Sequence, residues 1–190
     1  VKSRAVRAQV GASQEGLDKA PLDFFVTHPS SVETLLRVEK FPGVVWEPVC
    51  GDGTMARTLE LGDGVARVAA SDVADRGFGF RRDFLKTTML FGGVNHIVTN
   101  PPFELADQFV RHALRLGPPG KVAMFLRLAF LEGSRRGETI FRTHPPSRVW
   151  VFSRRQALRR NGGEWQSGLI AFAWYVWDRG SSGPTTLGWL

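Results

Sequence analysis

The chain has 190 residues, 43% hydrophobic and 23% charged, which suits one domain with a real core and excludes a disordered chain. Twenty-five Lys and Arg against 18 Asp and Glu leave a net charge of +7, which suggests a polyanionic partner such as nucleic acid. The single Cys50 excludes an internal disulfide and favours a reducing, cytoplasmic setting, the 4 scattered histidines show no metal-ligand spacing, and the longest apolar run, Leu169 to Trp177, is too short to span a bilayer.

Residues 1–20 mix Lys and Arg with Gln, Ser and Gly and lack an apolar centre, so they read as a flexible basic tail rather than a signal peptide. One domain is expected over 21–180, with a C-terminal tail over 181–190. Ser30 and Ser31, followed by Glu33 and the run Val32, Leu35, Leu36, predict a capped helix. Gly43 opens a short buried strand, Val44 to Trp46, and Gly51-Asp52-Gly53 is a tight turn into a helix over Thr54 to Leu61. Gly62 to Gly64 ends that helix, and a second strand runs from Val65 to Ala70, ending at Ser71-Asp72.

A third strand, Asn95 to Thr99, is stopped by Asn100-Pro101-Pro102. An amphipathic helix follows over Phe103 to Leu116, with Phe103, Ala106, Phe109, Val110 and Ala113 at helical spacing. Then come a strand over Lys121 to Leu126, a helix around Leu131 to Phe141, a strand Arg148 to Phe152, a polar loop Ser153 to Gly168, and a long strand Leu169 to Trp177. Strands alternating with helices predict an α/β domain with a largely parallel sheet, whose ligands bind beyond the carboxyl ends of the strands.

The unusual residues fall at those ends. Glu47-Pro48-Val49-Cys50-Gly51-Asp52-Gly53 lies between a strand and a helix, where glycines let backbone approach a ligand, and Asp72 ends the next strand, placed to bind ribose hydroxyls. Gly51-x-Gly53 with an acid some 20 residues on also meets the loose dinucleotide fingerprint. The negative charge of Asp52 argues against a pyrophosphate there, and a ribose-bearing cofactor with a positive centre fits better. Asn100-Pro101-Pro102-Phe103 removes two backbone donors and leaves acceptors, the Asn100 side-chain oxygen and the Pro101 carbonyl, beside an aromatic face. That set suits a flat amino group stacked on a ring. An ordinary turn and a core Phe are the plainer readings of each motif alone.

Glu47 to Gly53, Asp72, Asp83-Phe84 and Asn100 to Phe103 resemble motifs I to IV of class I S-adenosylmethionine-dependent methyltransferases, and the last resembles the signature of N6-adenine methyltransferases of phage and prophage type. Leu22 to Pro29, Arg127 to Gly133 and Ala173 to Asp178 are similar to that group too, although His28 separates Thr27 from Pro29. The resemblance implies a Rossmann-like fold, a mostly parallel seven-stranded sheet with a C-terminal antiparallel hairpin and helices on both faces. It implies S-adenosyl-L-methionine as cofactor, S-adenosyl-L-homocysteine as product, and no metal. Carried over, Glu47, Pro48, Cys50, Gly51, Asp52 and Gly53 sit by the methionine part, Asp72 binds the ribose, and Val73 packs on the cofactor adenine. Asp83 accepts from the cofactor amino group beside Phe84, Phe25 and Thr27 close over the carboxylate, and Asn100, Pro101, Pro102 and Phe103 hold the target base.

The positive charge is concentrated. Residues 21–110 carry net −4, whereas 111–160 carry net +10, and eleven of the twelve cations there are Arg, which pairs phosphate bidentately. Arg127 is the leading candidate for substrate contact, followed by Arg154, Arg155, Arg159 and Arg160 around a loop in which Trp165 could stack or wedge. Arg135 and Arg136 form a second cluster. The expected function is methyl transfer to adenine N6 in DNA, with no separate target-recognition domain, low or short-context specificity or a specificity partner, and no membrane. The alternatives are an RNA base, a protein glutamine amide, a non-enzymatic nucleic-acid binder, and a nicotinamide enzyme.

Overall fold

The computed structural model describes residues 24–161 and 163–190, so the expected basic tail lies outside the described residues. In chain order the strands are β1 (Phe25–Thr27), β2 (Gly43–Glu47), β3 (Val65–Asp72), β4 (Phe80–Arg81), β5 (Val94–Thr99), β6 (Lys121–Arg127), β7 (Arg148–Val151), β8 (Ala157–Arg160), β9 (Gln166–Ser167), β10 (Phe172–Asp178) and β11 (Thr186–Trp189). The helices are α1 (Pro29–Val38), α2 (Thr54–Leu59), α3 (Ala106–Leu116) and the short α4 (Ser134–Arg136), which continues as a π-helical turn over Gly137–Phe141.

The central sheet has eight strands in the order β11-β7-β10-β6-β5-β2-β3-β4. From β4 to β6 neighbours are parallel, while β10 is antiparallel to both β6 and β7. This is the Rossmann-like arrangement, with a reversal at the C-terminal hairpin. The additional strand over the expected seven is β11, parallel to β7. It comes from residues expected to be a tail, and it can dock because Gly188 lies flat on Trp150: a Cβ there would stand 2.3 Å from the indole.

Residues of β10 alternate between the faces. Ala173, Tyr175 and Trp177 join Trp46, Ile97 and Met124 on one side with α3, and Phe172, Trp174 and Val176 join Val45, Val98 and Phe125 on the other with α1 and α2. Covered on both faces, β10 reads as one apolar run rather than an alternating strand.

Several boundaries differ from expectation. His28, not Ser30, caps α1, its Nδ1 accepting from the Ser30 backbone N–H at 3.2 Å with Pro29 at the first helical position. The helix expected over 131–141 is divided into a 3₁₀ turn, α4 and the π turn. The long strand begins at Phe172, leaving Leu169 82% exposed. The expected loop 153–168 contains β8 and β9, which join β1 in a separate three-stranded antiparallel sheet. That small sheet stands beside the ends of β2 and β5, where the site is built.

Candidate active site

The chain leaves β2 through Gly51 and Gly53, whose φ values of +53° and +82° suit glycine. The turn is tied to the end of β3: Asp72 Oδ2 accepts from the Gly51 N–H at 3.0 Å, and its Oδ1 accepts from the Ala74 N–H at 3.0 Å. Asp52 Oδ1 accepts from the Thr54 N–H at 3.0 Å and so begins α2. Asp72 and Glu47 are each only 2% exposed. Burial and the neighbouring Asp52 and Asp72 push the Glu47 carboxyl well above its ordinary value, so it holds a proton. Its Oε2 is buried with no hydrogen-bond partner. Burial, Glu47 and Asp72 raise the Cys50 thiol to about 12, which keeps it protonated and unreactive.

These residues line a cavity of about 100 Å³. Of the predicted cofactor residues, Phe25, Thr27, Glu47, Cys50, Gly51, Asp52, Asp72 and Val73 border it, together with Asn100, Pro101, Pro102 and Phe103. Pro48 and Gly53 do not border it; Gly53 instead abuts the Phe78 ring, 2.5 Å from where a Cβ would stand. Asp83 and Phe84 are not in the lining either. Asp83 caps a 3₁₀ turn through the Leu85 N–H, and Phe84 is buried against Trp46 and Phe109. Met55 and Arg76 line it from outside the motifs, and Phe24 and Val49 line it from within motif segments that assigned them no role. Arg76 Nε stands 3.6 Å from Asp72 Oδ1, and its guanidinium lies 4.2 Å over the Phe24 ring. Its position four residues after Asp72 was the available sequence signal.

Asn100 has a defined orientation. Its Nδ2 donates to the Phe25 carbonyl at 3.2 Å and to Thr27 Oγ1 at 3.0 Å. A carbonyl can only accept, which assigns the amide nitrogen to that side. Oδ1 is buried and has no partner among the described residues. Thr27, expected at the cofactor carboxylate, thus also holds the asparagine.

Beyond Phe25 and Phe103, which stack at 5.5 Å and border both spaces, opens a larger cleft of about 950 Å³. Arg127 and Arg160 line it, and the Arg127 guanidinium covers the Phe103 ring at 4.5 Å. Arg154 and Arg155 are exposed and outside its lining. Arg159 turns the opposite way, with Nη2 2.6 Å from Asp52 Oδ2, and is stacked on Trp165 at 4.7 Å. Trp165 in turn meets the His28 ring edgewise at 4.6 Å. The expected cluster is therefore divided between the cleft, the exposed surface and the cofactor loop.

The carboxylates of Asp52 and Asp72 beside one small cavity favour a cationic ligand, and an oriented, unfilled amide oxygen favours a hydrogen-bond donor. Among the described residues no three His, Cys, Asp or Glu side chains are placed to hold a metal, and no helix is long and apolar enough to cross a membrane.

No family model matches the chain, and no curated protein is similar to it in sequence. Solved structures are similar to it in fold. A Pyrococcus horikoshii protein described as an RNA methyltransferase shares 14% identity at a TM-score of 0.56, with 79% of this chain and 83% of that one covered. The methyltransferase subunit of a type I restriction-modification system from Streptococcus thermophilus shares 12% at 0.57, covering 87% of this chain and 47% of that subunit. A precorrin-6y C5,15-methyltransferase from Geobacter metallireducens shares 14% at 0.51, covering 88% and 95%. The shared feature is the Rossmann-like class I methyltransferase fold.

Proposed function

We propose that this chain is an S-adenosylmethionine-dependent methyltransferase acting on an exocyclic amino group of a nucleic-acid base, adenine N6 in DNA. The observation that carries the reading is Asn100: its nitrogen is committed to β1, so its buried, partnerless oxygen is left as an acceptor in the wall of an acid-lined cavity.

The residues present fit the cofactor. Asp72 offers carboxylate oxygens at the end of β3, where a ribose would bind, while the ionised Asp52 and Asp72 supply negative potential that a sulfonium would meet. When bound, the sulfonium supplies an activated methyl group, so the chain is required mainly to position the acceptor. Adenine N6 is a poor nucleophile because its lone pair is delocalised into the ring. Asn100 Oδ1 and the Pro101 carbonyl would accept its two N–H bonds, favouring a pyramidal nitrogen with its lone pair directed into the cavity. Phe103 stands beside these acceptors, stacked on Phe25 and covered on the cleft side by the Arg127 guanidinium, which must draw aside for a base to stack there. No strong general base is needed, because the methylated nitrogen can shed its proton to water.

Such a base must leave its stack to reach Asn100. The 950 Å³ cleft next to Phe25 and Phe103 has room for it, and Arg127 and Arg160 bring charge that phosphate would meet. The Arg-rich span favours a nucleic acid over a glutamine amide. The test is labelled-methyl transfer from S-adenosylmethionine to duplex DNA, single-stranded DNA, RNA and protein, followed by nucleoside mass spectrometry. Label in N6-methyladenine from DNA supports the proposal. Label in RNA alone, or in protein, replaces the substrate, and no label in any of them overturns it.

A further inference from the structure

β8 is a wall shared by two spaces. Alternation along the strand sends Leu158 and Arg160 into the large cleft, and Arg159 to the opposite side, over the cofactor loop. There Arg159 Nη2 binds Asp52 Oδ2 at 2.6 Å and donates to Thr54 Oγ1 at 3.3 Å. Asp52 sits in the glycine turn after β2, and Thr54 is the first residue of α2. On its own sheet Arg159 is paired in register with Val26 of β1. The neighbours of Val26 are the two residues that hold the Asn100 amide, Phe25 through its carbonyl and Thr27 through its hydroxyl. One side chain therefore joins the cofactor loop to the strand that orients the acceptor amide. Trp165 and His28 back the guanidinium on this sheet.

We infer that Arg159 is a positioning residue that clamps the β1-β8-β9 sheet onto the cofactor loop and thereby sets the attitude of Asn100. It is not a phosphate contact, although its basic neighbours border the substrate cleft. Both of its hydrogen-bond partners belong to the far side of β8, where Nη2 makes both contacts and the guanidinium lies over Trp165. Lys in its place could donate to Asp52 and Thr54 from one nitrogen, but it lacks the planar guanidinium that lies over the Trp165 indole. The activity readout rests on the methyl-transfer proposal; the clamp itself does not.

The test compares wild type with Arg159→Gln, Arg159→Lys, Asp52→Asn and the Arg159→Gln/Asp52→Asn double variant. Methyl-transfer kinetics on duplex DNA are measured, with the salt dependence of DNA binding. Arg159→Gln and Asp52→Asn are each expected to lower kcat by roughly tenfold with KM for DNA nearly unchanged, because misplacement of the acceptor is felt in the transfer step. The double variant is expected within about threefold of the worse single one, since both break one contact. Arg159→Lys recovers part of the loss, and the salt slope stays that of wild type. Additive losses overturn the clamp. So does a salt slope smaller by about one with kcat intact, which is the signature of a lost phosphate contact. If wild type transfers methyl to nothing, the functional proposal fails separately and the clamp is read by amide hydrogen exchange. Arg159→Gln then speeds exchange in β1 while β6 stays protected; unchanged exchange in β1 overturns the clamp.

Discussion

Asn100 and Glu47 are both buried polar side chains with one oxygen left unpaired, and the two should respond differently to replacement. Asn100→Ala removes the acceptor without touching the glycine turn or Asp72. Methyl transfer is expected to fall by roughly a hundredfold or more, while S-adenosylhomocysteine still binds in calorimetry; retained turnover would remove Asn100 from the mechanism. Asn100→Asp keeps an acceptor facing the cavity and is expected to retain more activity than alanine. Glu47 carries a different consequence. Its pKa is raised in the folded state by burial and by Asp52 and Asp72, so folding holds a proton that the unfolded chain would release. Stability from this group is complete below the unfolded value near 4.5 and is lost as pH rises toward the folded value. Glu47→Gln has no proton to lose. Its Tm relative to wild type should therefore climb between pH 4 and pH 8, and a gap that stays constant across that range would mean that Glu47 is already ionised.

Elements built from local patterns were legible in the sequence; those that depend on a distant partner were not. The strands β2, β3, β5 and β6 are apolar runs bounded by glycine or proline, and the turns that follow β2 and β5 announce themselves through Gly51-Asp52-Gly53 and Asn100-Pro101-Pro102. The small sheet has no such mark. β8 reads Ala-Leu-Arg-Arg, and its pairing with β1 spans more than a hundred residues, so composition suggested only a polar loop. The same blindness hid Arg159's partner. β11 is the third case, four residues whose docking depends on one missing side chain. A Cβ at Gly188 would stand 2.3 Å from the Trp150 ring, in a strand whose edge closes the sheet. Gly188→Val should cost about 1–3 kcal/mol through overpacking, seen as a Tm several degrees lower. Gly183→Ala is the control, because no atom lies within 4 Å of its added carbon, although its φ of +141° adds some backbone strain. An equal loss in both variants would show that the Trp150 contact does not decide the docking.

Across the whole molecule, the +10 carried by residues 111–160 overstates the field that a phosphate backbone would meet. Much of that charge is already engaged. Arg148 and Lys121 close on the buried Glu39 and on Asp178 at the N-terminal end of β6, far along the sheet from the cavity. Burial alone would raise the Glu39 carboxyl, but hydrogen bonds from Arg148, Lys121 and Trp150 hold it below its ordinary value, so it stays ionised and keeps those cations paired. Arg136 donates to the carbonyls of Ala129, Phe130 and Glu132, Arg111 pairs with Asp107, and Arg159 with Asp52. Arg127 lines the cleft, and Arg135, Arg154 and Arg155 are exposed, which gives on the order of four phosphate contacts rather than ten. Binding to a duplex should then weaken with salt at a slope of roughly −4 in log K against log salt, at about −0.9 per phosphate. Arg154→Ala with Arg155→Ala should flatten that slope by up to about two without moving the Tm, since both side chains are exposed. Arg148→Ala should do the reverse, leaving the slope alone and lowering the Tm by uncovering Glu39. A slope near −9, or one that Arg148→Ala flattens, would mean that the ion cluster around Glu39 opens on nucleic acid and that both ends of the sheet take part in binding.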